Sequence, residues 1–410
     1  MTSGGPKFEG FLRPDGRKGI RNAILVIYLV ECAHHVARTI VTKVDHAVVQ
    51  LVGFPGCYPN SYALNMMKRL ATHPNVGGAL IVSLGCEGFD REGLTTAIAA
   101  SGRPVETLII QEAGGTRSTI EAGIAASIRL LEEVERSACR VPMGIYDLVV
   151  GTICGGSDGT SGITANPAVG RCFDRLTARG ATCIFEETGE LIGCEGVMAE
   201  RAATPELGEA IRAAVAKAEH YYATLGYGSF APGNADGGLT TQEEKSFGAY
   251  AKSGDSTISG LIKPGDIPPG PGLYLMDVIP DGEVRFGFPN ISDNAEIVEM
   301  IASGCHLILF TTGRGSVVGS AISPVIKVCA NPETYARMAG DMDIDAGRIL
   351  SGAATFDEVG EEIFAAVCKV ASGEQSISEA LGHQEFILTY KQFEATGPAC
   401  LPHPQRTHQS

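Results

Sequence analysis

The sequence predicts an α/β protein of two Rossmann-like or related domains with mainly parallel sheets and a site at the domain junction. Two observations carry the fold class, and a third places the site. Short apolar, β-branched runs alternate with loops of small residues and with segments of helical periodicity, which is the pattern of βαβ units. With 52 Gly, 6% aromatics and no Trp, the composition suits helices packed closely on sheets. A cysteine recurs in loops after the expected strands, at the edge where open parallel sheets bind ligands.

A chain of 410 residues exceeds what one compact core accommodates, so two main domains are expected. The first spans 1–142, with strands at 23–29, 47–52, 79–83 and 107–111. Its clearest amphipathic helix is 116–136, where Ile120, Ile124, Ile128 and Leu131 share one face. A loop at 137–143 leads to a strand at 146–151, which opens the second domain, 143–394. That domain is expected to hold strands at 181–185, 273–277 and 306–311 and helices at 205–225 and 296–302. KPGDIPPGPG, at 263–272, reads as a Pro/Gly loop, and the tail 395–410 as a loosely packed end.

A net charge of −15 makes nucleic acid and anionic membrane surfaces unfavourable partners. The longest apolar run, 23–30, stops at Glu31 and is too short to span a bilayer. The N-terminus has neither a cationic start nor an apolar segment, so a cytoplasmic protein is expected. In that compartment the 12 Cys are free thiols rather than a disulfide framework. Cys139, Cys172, Cys183, Cys368 and Cys400 read as small buried hydrophobes.

Three of the remaining cysteines carry the chemistry. Cys57 in GFPGCYPN, Cys86 in SLGCEG and Cys154 in TICGGSDG each follow a strand, and side-by-side strands would bring the three together as metal ligands. Thiolates favour iron–sulfur clusters or zinc, and three of them leave one iron of a cubane open to substrate. Cys32 sits more nearly inside a helix. An open Lewis acid chelates a carboxylate and the neighbouring hydroxyl and assists loss of hydroxide.

An acidic protein that binds an anion needs local positive charge. PDGRKGIRN supplies Arg17, Lys18 and Arg21, with Arg13 just before it, and Arg21 is the candidate substrate ligand. FTTGRGS places Arg314 between two glycines, where its fork and nearby backbone amides suit a carboxylate, and Lys327 follows in SPVIKVCANP. GGLTTQEEKS contains a capping box, Thr241 with Glu244, which leaves Lys245 and the paired glycines unexplained. Lys245, His34 and Asp158 are the candidate catalytic groups, and Ser157 and Thr241 candidate substrate contacts. DMDIDAG departs from a calcium loop at its Gly and at its closing position, so its acids bind a cation in another way or cap a helix.

Six segments in order, GFLRPDGRKGIRN, HPNVGGALIVSLGCE, CGGSDGTSGITANPAVG, GNADGGLTTQEEKSFGA, FTTGRGS and DMDIDAG, together resemble the altronate and galactarate dehydratase family. The resemblance implies an iron-dependent lyase that converts a sugar acid or similar 2,3-dihydroxy carboxylate to a 2-keto-3-deoxy acid. The iron would be a cluster or mononuclear Fe(II), with another divalent cation as an alternative. Many members carry an additional small N-terminal domain, which here implies a separately encoded small subunit, in a homo-oligomer acting on a small anionic hydroxy acid. Two departures bear on the reaction. GFPGCYPN lacks the histidine of an HxxGCG loop, and PVIKVCANP and EALGHQEFILT look more like the sulfolactate sulfo-lyase branch, which expels sulfite. That branch is expected to lack cysteines matching Cys57 and Cys86, so their presence favours loss of water. The alternatives are therefore a sulfo-lyase on the same fold and, in another class, a non-catalytic binding or regulatory subunit.

Overall fold

A computed structural model of the chain describes residues 6–226, 231–284, 292–388 and 390–391. Cys400 and the tail 395–410 lie outside the described residues. The strands are β1 (Lys7–Leu12), β2 (Lys18–Gly19), β3 (Ala23–Tyr28), β4 (Val49–Gly53), β5 (Val76–Ser83), β6 (Val105–Ile109) and β7 (Arg140–Gly144), followed by β8 (Val149–Cys154), β9 (Thr182–Phe185), β10 (Ile258–Ile262), β11 (Gly272–Met276), β12 (Leu307–Thr312), β13 (Val325–Cys329) and β14 (Ile344–Asp345). Two wholly parallel sheets result, one ordered β4-β3-β5-β6 and the other β10-β11-β9-β8-β12-β13-β14. Every residue of β5 and of β12 is buried, as expected of strands covered by helices on both faces.

The amphipathic helix runs Thr116–Ser137, and the helix expected at 205–225 spans those residues between a Thr204 cap and a left-handed Gly226. The helix expected at 296–302 begins earlier, at Asp293, because the Ser292 hydroxyl accepts the Ala295 N–H and caps it there. The stretch read as a loop, 137–143, carries part of β7. β7 and β2 flank β1 in a small antiparallel sheet, and the β1 and β7 segments are more than 120 residues apart in sequence.

Between the two parallel sheets lie two helices in contact, Ser61–Ala71 against β5 and Asp293–Ala302 against β8. One apolar core joins all four layers, from Leu25 and Ile27 through Met66, Met67 and Met300 to Ile153, Ile308 and Phe310. Among the described residues no helix is long and apolar enough to cross a membrane.

Candidate active site

Three glycine-rich loops meet at the carboxyl edge of the second sheet. After β8, Gly155 donates to the Thr311 carbonyl, and the Gly156 carbonyl, on a backbone with φ +57°, accepts the Arg314 N–H. Gly159 donates to the Gly237 carbonyl at 3.0 Å. Side chains have no room at these junctions: a Cβ on Gly313 would stand 2.1 Å from Asp158 Oδ1, and one on Gly237 would stand 2.8 Å from Asp158 Cβ. The close approach explains the paired glycines that a capping box leaves unexplained.

Below the loops lies a buried cluster of charge. β8 pairs with β9 in parallel with Thr152 opposite Phe185, so Cys154, which ends β8, and Glu187, just beyond β9, fall side by side. The Cys154 thiol lies 3.3 Å from Glu187 Oε1 and 3.3 Å from Glu190 Oε2, and Lys245 Nζ donates to its sulfur at 3.4 Å. Lys245 also pairs with Glu190 at 2.8 Å and donates to Ser157 Oγ at 3.1 Å. Lys252, fully buried, pairs with Glu187. Behind them stand Glu186, Glu296 and Glu299; Glu299 accepts from Lys391 at 2.8 Å and from Tyr62. With Asp293, six carboxyl groups (Glu186, Glu187, Glu190, Asp293, Glu296, Glu299) share the cluster with three ammonium groups (Lys245, Lys252, Lys391).

This imbalance sets the protonation of the cluster. Burial, then Glu296 and Glu187, push Glu186 well up, and burial raises Glu296 likewise. Burial and then Glu190 push Asp293 up to about 6. Burial alone would lower Lys245, but Cys154, Glu190 and Glu187 outweigh it and hold the ammonium charged. Burial and the two glutamates raise the Cys154 thiol, so it is protonated as it stands. Glu187 has φ +77°, a conformation that non-glycine residues rarely adopt and that accompanies functional sites.

Of the residues singled out from sequence, Cys154, Ser157 and Lys245 come together here, with Asp158 and Arg314 beside them. Asp158 is spent on the loop itself, accepting from Thr160 N at 2.9 Å and from Asn331 Nδ2 at 2.8 Å. Arg314 is exposed and donates to the Gly233 carbonyl.

The rest lie elsewhere. Arg21 grips Glu379 with Nε and Nη2 at 2.7 and 2.8 Å and also donates to three carbonyls, which saturates its fork as an internal tie. Arg13, Arg17 and Lys18 are tied to Asn22, Asp15 and Asp147, so PDGRKGIRN joins layers instead of binding an anion. Lys327 is buried in β13 against His383 Nδ1 and the Val318 carbonyl. The Thr241 hydroxyl is used in the capping box with Glu244. His34 pairs with Glu31 on the first turn of the helix Glu31–Val44 and stacks on Tyr28, outside the cluster. Of the acids in DMDIDAG, Asp343 accepts from Lys327 N and Ile377 N, and Asp345 from Gly347 N. Cys139, expected in a core, is exposed; Cys172 and Cys183 are buried and Cys368 is half-buried.

The three-cysteine cluster is also corrected. Cys57 and Cys86 are exposed on the first sheet's edge, and among the described residues neither joins any closely spaced group of three donors. The expectation assumed strands side by side, whereas helices separate the two sheets. Tyr390 packs on Phe54 beside Cys57 while Lys391 faces Glu299, so the segment carrying both stands between Cys57 and the glutamates. The residues around Cys154 do not form a three-thiolate ligand set with Cys57 and Cys86. They do fit a single divalent ion, because two donor groups share Glu187: Cys154 with Glu187 and Glu190, and Glu186 with Glu187 and Glu296.

Cys57→Ser and Cys86→Ser are therefore expected to leave metal content and turnover within about 2-fold of the parent, with no acid-labile sulfide in any preparation. Cys154→Ser should lower turnover by roughly 10-fold or more through the contact with Lys245. Loss of iron in either exposed variant would restore the cluster.

Comparison with known proteins gives the family. Residues 145–393 match the family model for the C-terminal part of D-galactarate/altronate dehydratase, and 10–135 match that for the second domain of D-galactarate dehydratase/altronate hydrolase. The chain is 32% identical to the (2R)-sulfolactate sulfo-lyase subunit beta of Chromohalobacter salexigens, over 95% of its own length and 98% of the relative's. It is 31% identical to galactarate dehydratase (L-threo-forming) of Escherichia coli and 29% identical to altronate dehydratase of Bacillus subtilis, covering 90% of this chain and 74% of the relative in each case. The loops that frame the cluster and the strands that carry it fall inside the longer of the two matched regions, and by these matches the chain belongs to the D-galactarate/altronate dehydratase family.

Proposed function

We propose that the protein is a carbon–oxygen lyase that removes water from a small 2,3-dihydroxy carboxylate to give a 2-keto-3-deoxy acid. The observation that carries this reading is a buried ammonium, Lys245, held against Ser157, Cys154 and Glu190 near a half-buried carboxyl, Asp293, whose proton affinity is tuned to neutral pH. Asp293 takes the C2 proton as a C2–C3 double bond forms. Lys245 gives its proton to the departing C3 hydroxyl, so water leaves, and the enol then tautomerises to the keto acid. Arg314 offers its guanidinium to the substrate carboxylate from the exposed side of the glycine loops. A divalent cation held through Glu187, with ferrous iron as the ion the resemblance implies, would supply chelation of the carboxylate and its neighbouring hydroxyl.

The test is keto-acid release from altronate, galactarate and related acids by the metal-loaded protein. If Asp293 is the base, kcat/KM should rise with pH through about 6 as its carboxyl ionises. Asp293→Asn should cost about 100-fold and erase that limb of the profile. An unchanged profile in that variant would remove Asp293 from the mechanism.

A second reading, a sulfo-lyase expelling sulfite, is favoured by the coverage of nearly the whole sulfo-lyase relative. The ground for preferring water, the presence of Cys57 and Cys86, weakens once both lie outside the cluster. Sulfite measured alongside keto acid on a sulfolactate substrate separates the two, and sulfite release alone would establish the second. The same relative is named a subunit, which supports a small partner polypeptide for this chain. The exposed free thiols Cys32, Cys57, Cys86 and Cys139 suit a reducing cytoplasm.

A further inference from the structure

We infer that the cation position of this cluster is its all-carboxylate side, Glu186 with Glu187 and Glu296, and that it selects a hard divalent ion of the magnesium, manganese or calcium class. The inference rests on the metal-assisted reading above and specifies where the ion binds.

Two independent features support it. The first is charge. Glu299 is matched to Lys391, Glu187 to Lys252 and Glu190 to Lys245, each as a buried ion pair. Glu186 and Glu296 remain, both buried and neither in an ion pair among those described, while Asp293 reaches the more open side of the cluster. Of the three carboxyls left without a lysine, the two buried ones match the charge of one divalent ion. The Cys154 side offers no such deficit, because its two glutamates already hold two lysines and its thiol is neutral.

The second feature is an unmet demand for a partner. Glu186 is 1% exposed, and neither carboxylate oxygen has a hydrogen-bond partner among the described residues. A buried carboxylate without donors is costly, and such a group is neutralised by a proton or takes part in coordination. Oxygens of Glu186, Glu187 and Glu296 lie within 4.8 Å of one another, close enough for one ion to bridge them. A set made only of carboxylate oxygens favours hard cations.

The experiment is calorimetric titration of the chelator-treated full chain with Mn2+ and, separately, with Ca2+. One equivalent is expected to bind. Glu186→Gln and Glu296→Gln should each weaken that binding by roughly 10-fold or more, while Cys154→Ser leaves it within about 2-fold. Both glutamine variants should fold, and without metal Glu186→Gln should melt above the parent, since it replaces a buried unpartnered carboxyl with a neutral amide. Circular dichroism and a melting curve check this.

Absence of Mn2+ and Ca2+ binding to the parent overturns the site, as does an equal loss in Cys154→Ser, which would move the ion to the thiol side. Retention of full affinity in both glutamine variants overturns it too. Turnover is scored separately. A chain that binds the ion as described but acts on no hydroxy acid keeps this site and sinks the lyase reading, and turnover without binding does the reverse.

Discussion

Lys245→Met should lower kcat/KM by about a thousand-fold while leaving the fold intact. The magnitude is the upper part of what a positioned acid contributes, because in the proposed mechanism Lys245 is the group that gives the departing hydroxyl its proton. Its neighbours fix its position on three sides: Ser157 Oγ at 3.1 Å, the Cys154 sulfur at 3.4 Å and Glu190 at 2.8 Å. Met is similar in length and apolar, so packing around a residue only 4% exposed is preserved and the change removes mainly the proton and the charge. Glu190 loses its partner in the variant and takes up a proton, which shifts any residual activity toward lower pH. Lys245→Arg should fail as well, because the buried socket holds an ammonium and a planar fork does not fit it. Kinetics on the metal-loaded variants, with circular dichroism as the folding check, decide the matter. A loss under about 3-fold in Lys245→Met would remove Lys245 from the chemistry.

Lys245 was legible from sequence for a local reason. The capping box at Thr241 and Glu244 explains its neighbours and leaves it over, and the cap then turns it to the buried side of the helix Gln242–Ala251. The parallel sheets were legible too, because strands covered on both faces must be continuous apolar runs, as β3, β5 and β12 are. The small sheet of β1, β2 and β7 was not, since KFEGFL and RVPMG carry no strong pattern and find each other only in the folded chain. The glutamates were missed for a related reason. Glu186, Glu187 and Glu190 look like ordinary loop acids after β9, and only the β8–β9 register places them beside Cys154. A signal was present in FEETGE, where two acids directly follow an apolar strand at the ligand-binding edge. The cysteine argument erred in the opposite direction: each thiol does lie at or beyond a strand's carboxyl end, but strand-end position within a sheet does not say how two sheets are arranged. Arg21 shows the same gap, because its partner Glu379 lies more than 350 residues away.

Lys252→Met should produce the largest change in stability, about 3 to 5 kcal/mol at neutral pH, because it leaves Glu187 buried without its counter-ion. Lys252 is 1% exposed and its ammonium pairs with the Glu187 carboxylate, which is also within reach of Cys154. Once the ammonium is gone, Glu187 must be desolvated as an anion beside Glu190 or take up a proton. The sign of the pH dependence follows from the second course. A carboxyl whose folded pKa is raised binds its proton more tightly in the native state than in the unfolded one. The penalty is therefore small near and below the ordinary carboxylate range, and stability falls as pH rises from there toward the raised value. The variant should melt close to the parent near pH 5 and well below it at pH 8. Lys252→Met/Glu187→Gln should recover most of the loss, since an amide carries no charge to strand, although the cation that Glu187 helps to hold would go with it. Urea unfolding of the parent, the single and the double variant at both pH values measures the coupling. A single variant within about 1 kcal/mol of the parent at pH 8 would mean that water or rearrangement already solvates Glu187, in which case the left-handed backbone at that residue is not held by the buried pair.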